Sequence, residues 1–332
     1  ISRNKETTTN NMEFNFFTFT FLLAILASIV ALLWLNYRQD KAIKQSFDEV
    51  PDEFKDTITL EDHQKAGRYT QAKLVVNHFE IIFSTIILIL WTLGGGLDML
   101  DNYLSDMIFN PLLLGTTFIV SIMLIASLID IPFSVYRNFV LEQRFGFNRM
   151  TPKIFLTDIF KEILLTLILG IPLIYIVLYL MSLDAIRDLW WLYVWITLSI
   201  FTVTMMWIYP TFISPIFNKF KPLENESLRK RIDDLIIRTG FKNDGIYVMD
   251  GSKRSAHGNA YFTGLGKNKR IVFFDTLLSG MKDREVEAIL AHELGHFHHK
   301  HIRQRMISSL IFSLASLALL GYLIEQSWFY YG

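Results

Sequence analysis

Six long apolar stretches constrain this 332-residue chain more than anything else in it. They run over 14–35, 79–97, 112–131, 163–181, 190–209 and 306–324. A helix needs about 20 predominantly apolar residues to cross a hydrocarbon core roughly 30 Å thick. Backbone in lipid must satisfy its own N–H and C=O groups, so runs of this length commit the chain to membrane helices. One such run alone could be a helix buried in a water-soluble core. Six together, in a chain that is 52% hydrophobic, has 28 Phe and is only 19% charged, do not fit that reading. The first run is too long, and too weakly basic at its start, for a cleaved signal peptide. Gly94, Gly95 and Gly96 loosen the end of the second run, and Pro172 is placed to kink the fourth.

All 32 Lys and Arg residues fall outside the six runs. Two precede the first run, seven lie in 36–78, none in 98–111, five in 132–162, one in 182–189, seventeen in 210–305 and none after 324. Rich and poor loops alternate, as the positive-inside rule requires, although a loop as long as 210–305 obeys that rule weakly. The pattern puts the N terminus outside and loop 210–305 in the cytoplasm. Net charge is zero, which argues against nucleic acid as a partner. The chain has no Cys, so it has no disulfides and no thiol chemistry, and zinc cannot be held by sulfur.

Chemistry is concentrated at His292-Glu293-Leu294-Gly295-His296. Two histidines four apart lie one above the other on a helix face and can share one zinc ion. The glutamate beside the first can act as general base on a water at that zinc. The five-residue pattern also recurs by chance, so its surroundings matter. Asp283 is placed to cap a helix, with Glu285 and Glu287 in its first turn, where carboxylates suit the positive end of the dipole. Val286, Ile289, Leu290 and Leu294 recur at helical spacing. His298, His299, Lys300 and His301 gather at the other end, where cations are favoured, so the motif sits mid-helix.

A third ligand is less obvious. His292 and His299 are two turns apart, about 10 Å along the axis, too far to share one ion. His298, His299 and His301 read better as solvated or dipole-neutralising residues. A metzincin extension would need Gly at 299 and His at 302, where the chain has His299 and Ile302. Glu325 is the only acidic residue after the motif helix; it follows the sixth run and should be a capping or interfacial residue on the far side of the bilayer. The expectation is therefore a third ligand beyond Gly332, in a chain that is incomplete. Met12, the first methionine, directly ahead of the first run, points the same way.

Loop 210–305 has the makings of a soluble unit. Asn225 or Glu226 opens a helix that carries Leu228, Ile232, Leu235 and Ile236 on one face and closes at Gly240. Short strands are expected at 246–249, 259–263 and 270–274. Zincins place a small sheet ahead of their His-Glu-x-x-His helix. An edge strand here could pair with an extended peptide, or the sheet could be a packing platform; both readings stand on pattern alone.

Four segments carry a longer likeness: IPFSVYRNFVLEQRFGFNRMT (131–151), YPTFISPIFNKFKPL (209–223), SKRSAHGNAYFTGLGKNKRIVFFDTLL (252–278) and EVEAILAHELGH (285–296). Through them the chain resembles the type I CaaX prenyl protease family, integral membrane zinc endopeptidases of the gluzincin group, over about 12–324. The resemblance implies a helical barrel around a water-filled chamber, with a zinc site on its cytoplasmic side. It implies cleavage near the C terminus of prenylated proteins, or, in some relatives, clearance of damaged or stalled membrane proteins. By the same resemblance His292 and His296 are zinc ligands, Glu293 is the general base, and Asn259, Ala260 and Tyr261 lie on the strand that lines the substrate. His257 opens that stretch and is expected to support the site or sit in its loop without ligating. The family's third ligand, a glutamate, and its transition-state-stabilising His and Arg belong to a C-terminal segment that this sequence does not carry.

The expected fold is thus a predominantly α-helical multi-pass membrane protein with a zincin-like catalytic unit, a small β-sheet and the motif helix. The division runs as an N-terminal extension (1–13), a five-span transmembrane region (14–209), a cytoplasmic zinc metallopeptidase unit (210–305), a sixth span (306–324) and a tail (325–332). The expected cofactor is one zinc ion. The expected partners are the lipid bilayer and a lipidated or membrane-associated substrate. The membrane would be a bacterial inner membrane or the endoplasmic reticulum. Three functions remain open: a CaaX-type peptidase, a quality-control peptidase with broad membrane substrates, and an inactive membrane scaffold. The intact Glu293 and both histidines argue against the last.

Overall fold

A computed structural model describes residues 14–241, 245–263 and 269–329. The 1–13 extension, with Met12, and the last three residues of the tail lie outside the described residues. Twelve α-helices are described: α1 (Phe16–Gln45), α2 (Leu60–Thr92), α3 (Gly96–Ser105), α4 (Pro111–Val135), α5 (Gln143–Phe145), α6 (Pro152–Ser182), α7 (Trp190–Ile208), α8 (Ser214–Phe217), α9 (Glu226–Thr239), α10 (Asp275–Gly280), α11 (Asp283–His298) and α12 (His301–Leu323). Six helical segments are long and apolar enough to cross a membrane, built on α1, α2, α4, α6, α7 and α12. Each contains one of the six apolar runs or most of it, and most extend well past it. Helix α2, for example, starts at Leu60, far ahead of residue 79. Its first half is rich in charged and polar residues and so forms no apolar run of spanning length.

These helices leave large side chains such as Phe19, Leu26, Phe79, Leu128, Ile168, Ile200 and Phe312 exposed. Contiguous apolar surface on this scale needs a nonaqueous surrounding. The chain is an integral, multi-pass membrane protein.

The chain divides into two compact units, 1–103 with 319–332, and 104–318. In the first, α1 and α2 pack antiparallel and are stitched by polar pairs: the Asn77 amide donates to Asn36 at 3.1 Å and the Gln71 amide to Asp40 at 3.0 Å. Asn15 caps α1 by accepting from the Phe17 and Thr18 amides. It also donates to the Trp328 carbonyl, and Phe329 meets Phe17 edge-on at 4.9 Å, so the tail docks on the start of α1.

In the second unit α4 packs on α6 and α6 on α7. The chain widens into π-helical turns at Tyr136–Glu142 and Tyr209–Ile213, both inside the family-like segments. Trp195 on α7 donates its indole N–H to the Leu310 carbonyl of α12 at 3.0 Å.

A four-stranded sheet follows, made of β1 (Phe220–Pro222), β2 (Ile246–Met249), β3 (Ala260–Thr263) and β4 (Arg270–Phe274), in the order β1-β2-β4-β3. β2 and β4 are parallel, and both edge strands run antiparallel to their neighbours. The expected strands at 246–249 and 270–274 are found with those limits, and that at 259–263 begins one residue later. β1 was not foreseen: three residues ending in Pro give no alternation to read, although Pro at a sheet edge is tolerated. The sheet and α9, α10 and α11 bury one apolar core, in which Ile232, Ile271 and Phe273 are fully inaccessible. α9 begins and ends as its sequence requires: Asn225 accepts from the Ser227 and Leu228 amides, and Gly240 takes φ +66°.

Candidate metal centre

Helix α11 is oriented by its buried face. Val286, Leu290 and Leu294, four apart, are 1%, 1% and 2% exposed in the core beneath the sheet. The other side must then face away from it: His292 is exposed, and Glu293 and His296 are half-buried. The helix start differs in detail from the sequence expectation. The Lys282 amide donates to the Glu285 carboxylate at 2.8 Å, the backbone half of a capping box, so Asp283 lies within the first turn and does not cap it. Asp283 instead accepts from the Ser227 hydroxyl, and Glu287 pairs with Arg231 and Arg238, all on α9.

The imidazoles of His292 and His296 have ring centroids 4.9 Å apart and planes at 86°. Two imidazoles on one tetrahedral zinc, with bonds of 2.0–2.1 Å, should have centroids about 5 Å apart. The pair therefore suits one shared ion, as nitrogen donors of intermediate softness suit zinc. Among the described residues no three His, Cys, Asp or Glu side chains form a group that could hold a metal. The two imidazoles would fill half of a tetrahedron.

The trailing histidines behave differently from one another. His298 and His299 are exposed, as a solvated reading requires. His301 is not simply solvated: its Nδ1 lies 2.8 Å from Nδ1 of His296. The cause is Lys300, which takes φ +58° between α11 and α12 and turns the chain so that His301 folds back on the motif. A left-handed residue other than Gly costs roughly 1–2 kcal/mol. Lys300→Gly is expected to raise stability by about 0.5–1 kcal/mol, since it removes that cost at a small gain in unfolded-state entropy. A thermal unfolding midpoint that is unchanged or lower would contradict the strain.

β3 is the edge strand nearest the motif and packs against α11. Its pairing with β4 joins Ala260 to Phe273 and Tyr261 to Val272. The Asn259 carbonyl accepts from the Phe274 amide at 2.9 Å. Backbone groups alternate in direction along an antiparallel strand. Ala260 and Phe262 therefore turn their N–H and C=O outward, towards the open edge. The Asn259 carboxamide accepts from the Ala260 N–H at 2.8 Å and so holds the first of these positions. Tyr261 is half-buried, and burial pushes its phenol above the ordinary range, opposed by a hydrogen bond with Ser214.

His257 turns to a different patch. Its Nε2 is 3.1 Å from the Glu142 carboxylate and its ring stacks on Phe147 at 4.2 Å. The structure thus carries His292, Glu293 and His296 on the helix that packs against β3, while His257 ties its loop to Glu142 and Phe147. Next to it lies a junction the sequence did not announce. Arg254 makes a two-pronged pair with Asp158 at 2.7 and 3.0 Å, and its guanidinium also donates to Asn218 and to the Phe217 carbonyl. Its own carbonyl accepts from the Arg149 amide. Three of the four family-like segments meet at this one residue, two through its side chain and backbone position and the third through its carbonyl.

Known proteins are similar to this chain in sequence and fold. Residues 39–219 match the family model described as CAAX prenyl protease N-terminal, five membrane helices, and residues 222–329 match Peptidase family M48. The chain is 35% identical to CAAX prenyl protease 1 of Saccharomyces cerevisiae over 85% of its own length and 65% of that protein's. It is 36% identical to the CAAX prenyl protease 1 homolog of Dictyostelium discoideum over 82% of its length and 65% of that chain. It spans about two thirds or less of both relatives. Among solved structures, the crystal structure of S. mikatae Ste24p superposes with a TM-score of 0.83 at 34% identity, covering 90% of this chain and 71% of that one.

Proposed function

The chain belongs to the CAAX prenyl protease family of M48 peptidases, and from that premise we propose that it is a membrane-embedded zinc endopeptidase that cuts prenylated proteins near their C termini. The observation that carries the reading is the pairing of the His292–Glu293–His296 helix with an open-edged strand, β3, packed against it. His292 and His296 would hold the zinc. When bound, the ion supplies a water that ionises near neutral pH and polarises the scissile carbonyl. Glu293 takes the proton from the attacking water and passes it to the leaving amine. The outward Ala260 carbonyl and the outward backbone groups of Phe262 receive the substrate as an added strand, with Asn259 and Tyr261 flanking them.

Lipid recognition explains why such a site belongs in a membrane. Each buried CH₂ contributes about 0.8 kcal/mol, so a prenyl tail would dominate binding. The chemistry at the scissile bond is unchanged by the tail, so its loss should raise KM far more than it lowers kcat. One peptide is compared with and without its lipid, using the full-length protein in liposomes. A KM raised by at least 100-fold on delipidation is expected. Equal efficiency for both, together with cleavage of unrelated unfolded membrane proteins, would favour the quality-control activity instead.

The charge pattern supports a cytoplasmic site. Asp106 and Lys253 are exposed, and the chain contains no Cys to interfere with labelling. With an impermeant thiol reagent, Asp106→Cys and Lys253→Cys should label from opposite sides, Lys253→Cys from the cytoplasm. Labelling of both from one side would refute the proposed orientation.

A further inference from the structure

We propose that His301 is a positioning residue for the metal site, accepting a hydrogen bond from Nδ1 of His296 and so leaving Nε2 of His296 as the metal-binding nitrogen. The proposal rests on the reading of His292 and His296 as zinc ligands. The two Nδ1 atoms are 2.8 Å apart, so one carries a proton and the other accepts it. A neutral imidazole has one N–H and one lone pair, and the bond made by one nitrogen decides which is left for a metal. With the proton on His296 Nδ1, its Nε2 lone pair is free, and His301 carries its own proton on Nε2.

Shared ligation by His301 fits less well. Two nitrogens on one tetrahedral zinc lie about 3.3 Å apart when each bond is 2.0–2.1 Å. A separation of 2.8 Å is a hydrogen-bond length. The surroundings also hold His301 in place. Its ring stacks on His299 with centroids 5.7 Å apart, and it meets His296 at 5.1 Å. The left-handed Lys300 directs it there, so the break between α11 and α12 has a chemical consequence. His298 and His299 accompany it in sequence without touching His296 through any such bond among the described contacts. Sequence spacing did not reveal His301, because five residues is not a same-face interval on one continuous helix.

Partners of this kind orient and strengthen metal-bound imidazoles, and their loss typically costs 10–100-fold in metal affinity. The test measures zinc affinity of the full-length protein by chelator competition, with no substrate present. His301→Phe keeps an aromatic ring but cannot accept the bond, and should weaken zinc binding by 10–100-fold. His301→Gln retains an acceptor and should recover most of that loss. In the unaltered protein, histidine ¹⁵N shifts should place the His296 proton on Nδ1. Wild-type affinity in His301→Phe, equal weakness in the Phe and Gln variants, or a His296 proton on Nε2 would each overturn the proposal. The ¹⁵N measurement decides the matter even where a variant does not fold. Absence of zinc binding by the unaltered protein is a different outcome: it removes the site reading itself.

Discussion

Glu293→Gln is expected to slow peptide cleavage by about 10²–10⁴-fold, the usual contribution of a positioned general base. Glutamine is nearly isosteric and uncharged, so it cannot take a proton from the attacking water. Glu293 is half-buried on the exposed side of α11 and outside the core, which rests on Val286, Leu290 and Leu294. The substitution should leave the unfolding free energy within about 0.5 kcal/mol of wild type, as for surface changes remote from packing. The effect belongs in kcat, with KM for a lipidated peptide little altered, because in the proposed complex the lipid and the β3 edge would make the binding contacts and Glu293 would not. Wild-type turnover in this variant would assign the base elsewhere.

The largest stability effect should come from the Arg254 junction. The side chains of Arg254 and Asp158 are only 19% and 12% exposed. Asp158→Ala would strand a guanidinium that keeps only Asn218 and the Phe217 carbonyl, and breaking a buried pair in this way costs about 3–5 kcal/mol. Replacing both partners, as Asp158→Leu with Arg254→Met, should recover much of that loss, since no charge is then left unpaired. Unfolding of wild type, Asp158→Leu, Arg254→Met and the double variant in detergent gives the coupling between the two sites. Additive single and double effects would show that the pair is not a unit. A fall in activity should accompany Asp158→Ala, because Arg254 fixes the segment that leads through His257 and Asn259 into β3.

The junction also shows where sequence reading stops. Membrane helices were legible because burial in lipid demands long apolar runs, and the pairing of His292 with His296 was legible because helical geometry fixes their spacing. Strands β2 and β4 showed themselves as β-branched and aromatic runs, and the Asn225 cap and Gly240 stop marked α9. Asp158 and Arg254 are 96 residues apart, and nothing local links a carboxylate near the start of α6 to an arginine ahead of β3. His301 reads as solvated from sequence for a related reason. Its position depends on the left-handed turn at Lys300, and a lysine gives no hint of φ +58° where a glycine would have. Long-range polar contacts and one unusual dihedral are tertiary facts, set by packing.

Zinc content per chain tests the central claim most directly. It should be measured by elemental analysis on purified full-length wild type, Glu293→Gln and the His292→Ala, His296→Ala double variant, after equilibration with limited zinc. One zinc per chain is expected in the first two and essentially none in the third, since neither imidazole remains to start the tetrahedron. Equal zinc in the wild type and the double-histidine variant would contradict the account, whatever the activities of the three proteins.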